Sequence, residues 1–420
     1  MTARFRYLLL TGLLLLPLVG GCAQSTAVIG NPQAPYDPPK PPEVGDIFHI
    51  PTGYYVSEEQ MLAAVDDARI VYVGETHDNP AAHRVQLTIL EAMAESHPGK
   101  VALGLEMFTP AQQEVLDRWV AGELSEKDFL KESEWFMNWT MDFGLYRDIL
   151  VFARDRGIPV VGLNVEKSLK RKVGMQGLEA LTEEERQRVP ELDMGDPYQK
   201  AMTKAIFKGH DAGDAMLESF LRVQTLWDES MAANIADFLS QAEHEGYRMV
   251  VMAGGNHVRF GYGIPRRVFR RLPTSYVLVG SKELKVAEDR RKKDRVMDVD
   301  LPHLPMQPYD YVVFTEYEEL ESDKAQLGVQ FEANDEGIVV LAVVPESAAA
   351  EAGIEKGDVL IAIDQEPLED SFDLIYEIGR HQPGDEVTIS FSRGGEKMSA
   401  KVVLKERHHG MKTKKHGKKN

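Results

Sequence analysis

Four separated stretches of this chain end an apolar run with side chains that can move protons or bind a cation. After the run at 69–74 (RIVYVG) stand Glu75, His77 and His83, and after 100–105 stands Glu106. After 158–163 come Asn164 and Glu166, and after 247–254 come Asn256, His257 and Arg259. A glutamate next to an imidazole is a general base for activating water, with Glu106 and His257 as partners. Two imidazoles and a carboxylate, His77, Glu106 and His257, are equally a donor set for a divalent metal. His77 and His83 are six residues apart across a turn and share no helix face, so a zincin-type helix is not expected. No G-x-S-x-G elbow is present for a serine nucleophile.

The elements that must carry these residues are legible in the pattern. The runs at 69–74, 100–106, 158–164, 247–254 and 275–280 are short and continuously apolar, as in strands buried on both faces. Longer amphipathic stretches separate them, the longest at 219–244. Asn79-Pro80 and Thr109-Pro110 each place a capping residue before a proline at a helix start. Strand and helix in alternation predict an α/β fold, a mainly parallel sheet flanked by helices. All carboxyl ends of such a sheet lie on one edge, where ligands bind, so the four stretches should meet there. The segment at 301–314 is expected to add an edge strand, and the mixed-charge stretch at 288–295 to be a solvated loop or helix face.

The chain has 420 residues and a net charge of −19. Its end, from Lys405 to Asn420, contributes +6, leaving −25 for the remainder, which disfavours a nucleic-acid surface. That basic tail is read as disordered. At the other end, Arg4 and Arg6 precede a short apolar run and the sequence LVGGC, so residues 1–22 read as a secretory signal ending in a lipobox. Cys22 is the only cysteine and is expected to be lipidated, which leaves no thiol for disulfides, zinc or catalysis. Ala23 after it is similar to outer-membrane-directed lipoproteins, so a bacterial envelope protein facing the periplasm is expected. Residues 23–45 read as a proline-rich tether, 46–285 as the α/β domain, 286–322 as a connection, 323–405 as a small mixed β/α domain and 406–420 as the tail.

GETHDNPAAH, GLEMF, WDESMAANI and GGNHVRFGYGIPRR resemble the ChaN-like haem-binding lipoproteins over roughly residues 50–280. The wider superfamily includes the Tiki/TraB proteins and erythromycin esterases. The resemblance implies haem held in a dimer, its iron on a tyrosine assisted by a histidine. Tyr198 is the matching choice, with His210 beyond it. Arg259, Arg266 or Arg267 would take the propionates. A phenolate is a hard anionic donor that favours ferric iron. The stretch from Ala325 resembles a PDZ domain, most specifically in GIEKGDVLIAIDQEPL. That likeness puts Leu327, Gly328 and Val329 where backbone N–H groups receive a peptide carboxylate, beside a strand that can pair with the peptide. Three classes stay open: a haem or iron-compound binder, a metal-dependent hydrolase working through Glu75, His77, Glu106 and His257, and a PDZ scaffold on an idle enzyme fold.

Overall fold

The computed structural model describes residues 36–139, 141–207, 214–284, 302–320, 325–335 and 337–406. The first unit is built on eight strands: β1 (Ile47–His49), β2 (Tyr54–Val56), β3 (Ile70–Glu75), β4 (Val101–Leu105), β5 (Val160–Gly162), β6 (Arg248–Gly254), β7 (Tyr276–Glu283) and β8 (Tyr311–Thr315). Their order across the sheet is β2-β1-β8-β7-β3-β6-β4-β5. From β8 to β5 all neighbours are parallel, whereas β1 and β2 form an antiparallel margin. The expected strand near 301–314 is therefore interior, shielded by the β1–β2 hairpin, and lies in the segment read as a connection. Strands this short, separated by four residues, leave too little pattern to be read in advance.

Every residue of β3 is buried. Val71 and Val73 face one apolar layer while Ile70 and Tyr72 face the other. The first layer is covered by α1 (Glu58–Asp66), α2 (Pro80–Ser96), α3 (Gln113–Val120), α4 (Glu126–Glu132), α5 (Trp135–Asn138) and α6 (Arg147–Asp155). After α7 (Lys167–Gln176), α8 (Glu183–Gln187) and α9 (Pro197–Phe207), the long α10 (Asp214–Ser240) covers the second layer with α11 (Gly255–Val258) and α12 (Ile264–Arg271). Asn79 caps α2 by accepting from Ala81 N–H, with Pro80 in the first turn, as its sequence predicts. Thr109-Pro110 opens a short 3₁₀ turn that leads into α3.

The second unit has its own apolar core. Its strands are β9 (Ala325–Gln326), β10 (Val329–Asn334), β11 (Gly337–Val343), β12 (Val359–Ile363), β13 (Glu366–Pro367), β14 (Glu386–Arg393), β15 (Glu396–Val403) and β16 (Lys405–Glu406), with helices α13 (Ala348–Glu351) and α14 (Ser371–Gly379). β10 is an edge strand, paired only with β11. Lys405 and Glu406, read as the start of a disordered tail, instead form β16 against β9, whereas Cys22, His210, 288–295 and the tail beyond Glu406 lie outside the described residues.

Candidate functional site

The parallel register aligns the strand ends. Glu75 of β3 sits opposite Gly254 of β6, and Glu106 follows Leu105, which pairs with Met252. Gly254 N–H donates to Glu106 Oε2 at 2.7 Å, anchoring that carboxylate at the edge. The space over Gly254 belongs to an imidazole: a Cβ there would lie 2.8 Å from His77 Nε2. His257, on the short helix after β6, brings its Nε2 within 3.6 Å of Glu106 Oε1. The edge thus gathers Glu75, His77, Glu106 and His257, as their positions in the sequence predict.

Each of the two histidines is held from behind by a buried carboxylate. His77 Nδ1 donates to Glu75 Oε1 at 2.6 Å, and His257 Nδ1 donates to Asp228 Oδ1 at 2.6 Å. A carboxylate only accepts, so the proton on each Nδ1 is fixed and each Nε2 is left for the site. Each ring also stands edge-on to a tryptophan: His77 on Trp139 at 5.1 Å and His257 on Trp227 at 5.8 Å. Burial would lower the His77 pKa, but the hydrogen bond and charge of Glu75, with Glu106 and Asp78 nearby, push it up to about 9. His257 is raised too, burial being outweighed by Glu106 and Asp228.

Glu75 is the centre of a buried network. Burial opposes its charge, yet the charge of His83 and the hydrogen bonds from His77 and His83 hold its pKa well below the usual carboxylate range. Tyr146 donates to Glu75 Oε1 at 2.9 Å. His83 points inward: Nε2 faces His77 O at 3.0 Å, and Nδ1 faces Gln86 Oε1 at 3.0 Å and Glu75 Oε2 at 3.2 Å. Burial would lower the His83 pKa, but the charge and hydrogen bond of Glu75 raise it, and the ring is engaged within the network.

Several participants were not foreseen. Asp228 comes from the quoted WDESM stretch, but only the packing of α10 across the sheet shows that it meets His257. Gln199 Nε2 steadies its Oδ2, and Gln199 in turn accepts from Arg267. Lys170 of α7 lays its ammonium 4.7 Å from the Trp227 ring centre. Burial, helped by the charge of Lys167, lowers the Lys170 pKa against the pull of Glu106.

The other expected residues are dispersed. Asn164 turns its amide back to Glu106 O at 2.9 Å, and Glu166 pairs with Arg188 at 2.9 Å. Tyr198 is 44% exposed on α9 and stacks on Tyr262 at 5.3 Å. A cleft of about 230 Å³ between α9 and α10 is lined by Met194, Asp196, Lys200, Glu218 and Arg222, the last held by the carbonyls of Val173 and Gly174. Arg266 is engaged by Asp193 at 2.6 Å and Asp196 at 3.4 Å, so it is not a free propionate partner. Arg267 is fully buried against Glu229, which removes it from that role as well. Arg259 is 9% exposed, and its Nε and Nη2 have no hydrogen-bond partner among the described residues. Among the described residues no group of three His, Cys, Asp or Glu side chains is arranged to hold a metal ion; His77, Glu106 and His257 share one edge.

In the second unit, Gly328 has φ +82°, and a Cβ on it would lie 2.2 Å from Ser347 Cβ. Its carbonyl accepts from Val344 N–H at 2.9 Å while Leu327 O accepts from Ala349 N–H at 2.8 Å, which fixes the loop that leads into Val329 and the β10 edge.

Residues 61–268 match the haem-binding uptake family of the Tiki superfamily, ChaN, and residues 325–404 match the PDZ domain. Protein RETICULATA-RELATED 5, chloroplastic, of Arabidopsis thaliana is 24% identical over 231 residues, 51% of this chain and 31% of that protein. Protease Do-like 8, chloroplastic, of the same plant is 29% identical over 82 residues, 17% of this chain and 18% of that protein. The chain thus spans less than a third of the length of the curated relatives it matches. Among solved structures, ChaN of Campylobacter jejuni with cofacial haem is 16% identical with a TM-score of 0.49, covering 64% of this chain and 95% of that one. The HtrA-type protease AlgW with a decapeptide is 27% identical with a TM-score of 0.20, covering 20% of this chain and 30% of that one. With a parallel-rich α/β unit followed by a β-rich one, the chain carries a ChaN-like domain of the haem-binding Tiki superfamily joined to a PDZ domain.

Proposed function

We propose that this protein is an envelope lipoprotein, anchored through Cys22 to the outer membrane and facing the periplasm. There it binds haem or a related iron compound for iron uptake, and its PDZ domain takes a protein partner by a free C-terminus. The observation that carries the reading is the match of residues 61–268 to the haem-binding family. Haem would supply a ferric centre open to an anionic oxygen donor. The half-exposed phenol of Tyr198 can reach a large planar ligand, and Lys200 on the same helix can meet a propionate. Arg259 keeps unpaired N–H groups for the same purpose. A homodimer sharing two haems fits the exposed Met194, Tyr198 and Met216 on this side.

Titration of hemin into the chain lacking residues 1–22 tests the reading. Expected is a saturable Soret shift with a high-spin ferric, tyrosinate-type spectrum that Tyr198→Phe abolishes. No saturable shift overturns it.

A second reading, hydrolysis, is favoured by one specific arrangement: two imidazoles, each fixed at Nδ1 by a carboxylate, converge on Glu106. On this reading Glu75→Gln removes turnover of ester or peptide substrates and leaves hemin affinity nearly unchanged. Equal loss of both would merge the two sites into one.

A further inference from the structure

The PDZ domain is fastened to both segments that hold His77. The first tie is the chain leading to it. Tyr317 donates to Asp78 Oδ2 at 2.8 Å, Glu318 N–H donates to the Asn79 side chain at 3.2 Å, and the Glu318 carboxylate is gripped by Arg84. Asp78 and Asn79 immediately follow His77, so this strap lies on its loop. The second tie is α14. Its Asp373 and Glu377 are buried, and the other domain supplies a lysine to each: Lys127 reaches Glu377 at 2.8 Å, which Arg380 also holds at 3.0 Å, and Lys131 reaches Asp373 at 3.4 Å. Phe372 packs at a tilt against Phe136 of α5 at 5.6 Å, and Tyr376 receives Lys127 over its ring at 5.5 Å.

α5 is a single turn. It is joined to α4 through Glu134, which adopts the left-handed conformation at φ +52°, a hinge that costs a non-glycine residue about 1 kcal/mol. Directly after α5 comes Trp139, the ring that stands on His77. One stretch of 14 residues, 126–139, thus carries the docking lysines, the strained hinge, the aromatic that meets the PDZ domain and the cover of the histidine.

We infer that the PDZ domain controls the site: docked through α14 it holds Trp139 edge-on against His77, whose side chain is still 32% exposed, and its release frees the tryptophan to move off the histidine. The inference rests on the second reading, in which His77 works at the carboxyl edge as part of a hydrolytic site. It gives the joining of the two domains a physical purpose, since whatever draws the PDZ domain away opens the site.

The test is hydrogen exchange of the intact chain with no ligand added, comparing wild type with Lys127→Glu/Lys131→Glu. Exchange across 371–379 reports undocking and exchange across 134–142 reports the cover. Expected is roughly tenfold faster exchange in both, with β3, β4 and β6 unchanged. Adding Asp373→Lys/Glu377→Lys should restore protection. Faster exchange at 371–379 with none at 134–142 overturns the gate, and so does full protection of 371–379 in the double variant. Because no ligand is present, failure of haem binding would leave this result standing.

Discussion

Asp228 and His257 meet at 2.6 Å inside the protein, 29 positions apart in sequence, on two elements that touch only because α10 crosses the carboxyl edge of the sheet. The carboxylate fixes both the ring orientation and the tautomer. Asp228→Asn should preserve the contact but lose its charge, lowering the His257 pKa and costing about 1.5–3 kcal/mol of stability. Histidine-resolved NMR titration beside denaturant melts would decide it. An unmoved His257 titration would mean that Asp228 contributes packing alone.

The stability of the protein should fall with rising pH. His77 has its folded pKa raised to about 9, so the stability it adds is complete below the unfolded histidine value of about 6.5 and is lost as pH climbs through 9. His83 and His257, raised as well, act in the same direction. Glu75 is depressed, so its contribution persists above about pH 4.3 and disappears only in stronger acid. Urea melts from pH 6 to 9.5 should show a loss of about 1–3 kcal/mol, and Glu75→Gln should flatten that slope.

Two glycines at the edge should respond differently to alanine. At Gly254 the new Cβ meets His77 Nε2 and Cε1 at 2.8 and 3.0 Å, atoms of a side chain that can swing away. At Gly263 it would lie 2.2 Å from the backbone oxygen of His257, which cannot. Gly254→Ala should displace His77 at a cost near 1 kcal/mol, and Gly263→Ala should cost about 3 kcal/mol or fail to fold. Thermal melts combined with the His77 NMR signal separate the two; similar melting temperatures would contradict the argument.

Glu229 is wholly buried and takes Arg267 at 3.2 Å, Arg271 at 2.6 Å and Arg270 at 3.2 Å. Glu229→Gln leaves three guanidinium groups short of one negative charge, with Arg267 still inside. A loss of about 3–5 kcal/mol is expected in denaturant unfolding, and less than 1 kcal/mol would show that water reaches this cluster.

The carboxyl edge was legible because continuous apolar runs such as RIVYVG and YRMVVMAG have one physical solution, and the residues after them have one place to go. What stayed hidden depended on facing. His83 looks like a third rim histidine in sequence, yet the first turn of α2 directs it inward onto Glu75. Arg266 looks like a free cation, but Asp193 and Asp196, some 70 positions earlier, claim it. Tyr146 and Asp228 lie on helices whose rotation is set by packing against the sheet, which no local pattern encodes. The β1–β2 hairpin escaped notice because three-residue strands carry almost no periodicity.

The central position of β3 has a bearing on how the chain is made. Ile70 pairs with Met249 on one side and Tyr276 on the other, so about 180 and 200 residues separate this strand from its neighbours. Emerging vectorially, this wholly buried strand waits with both hydrogen-bonding edges open until β6 is made, and with one still open until residue 280 is available. Pairings of such long range form slowly, and an unpaired strand of this kind is prone to aggregate in the meantime. A chain of this topology is best kept extended until most of it has been delivered, and its yield should depend on holdase chaperones more than its final stability would suggest.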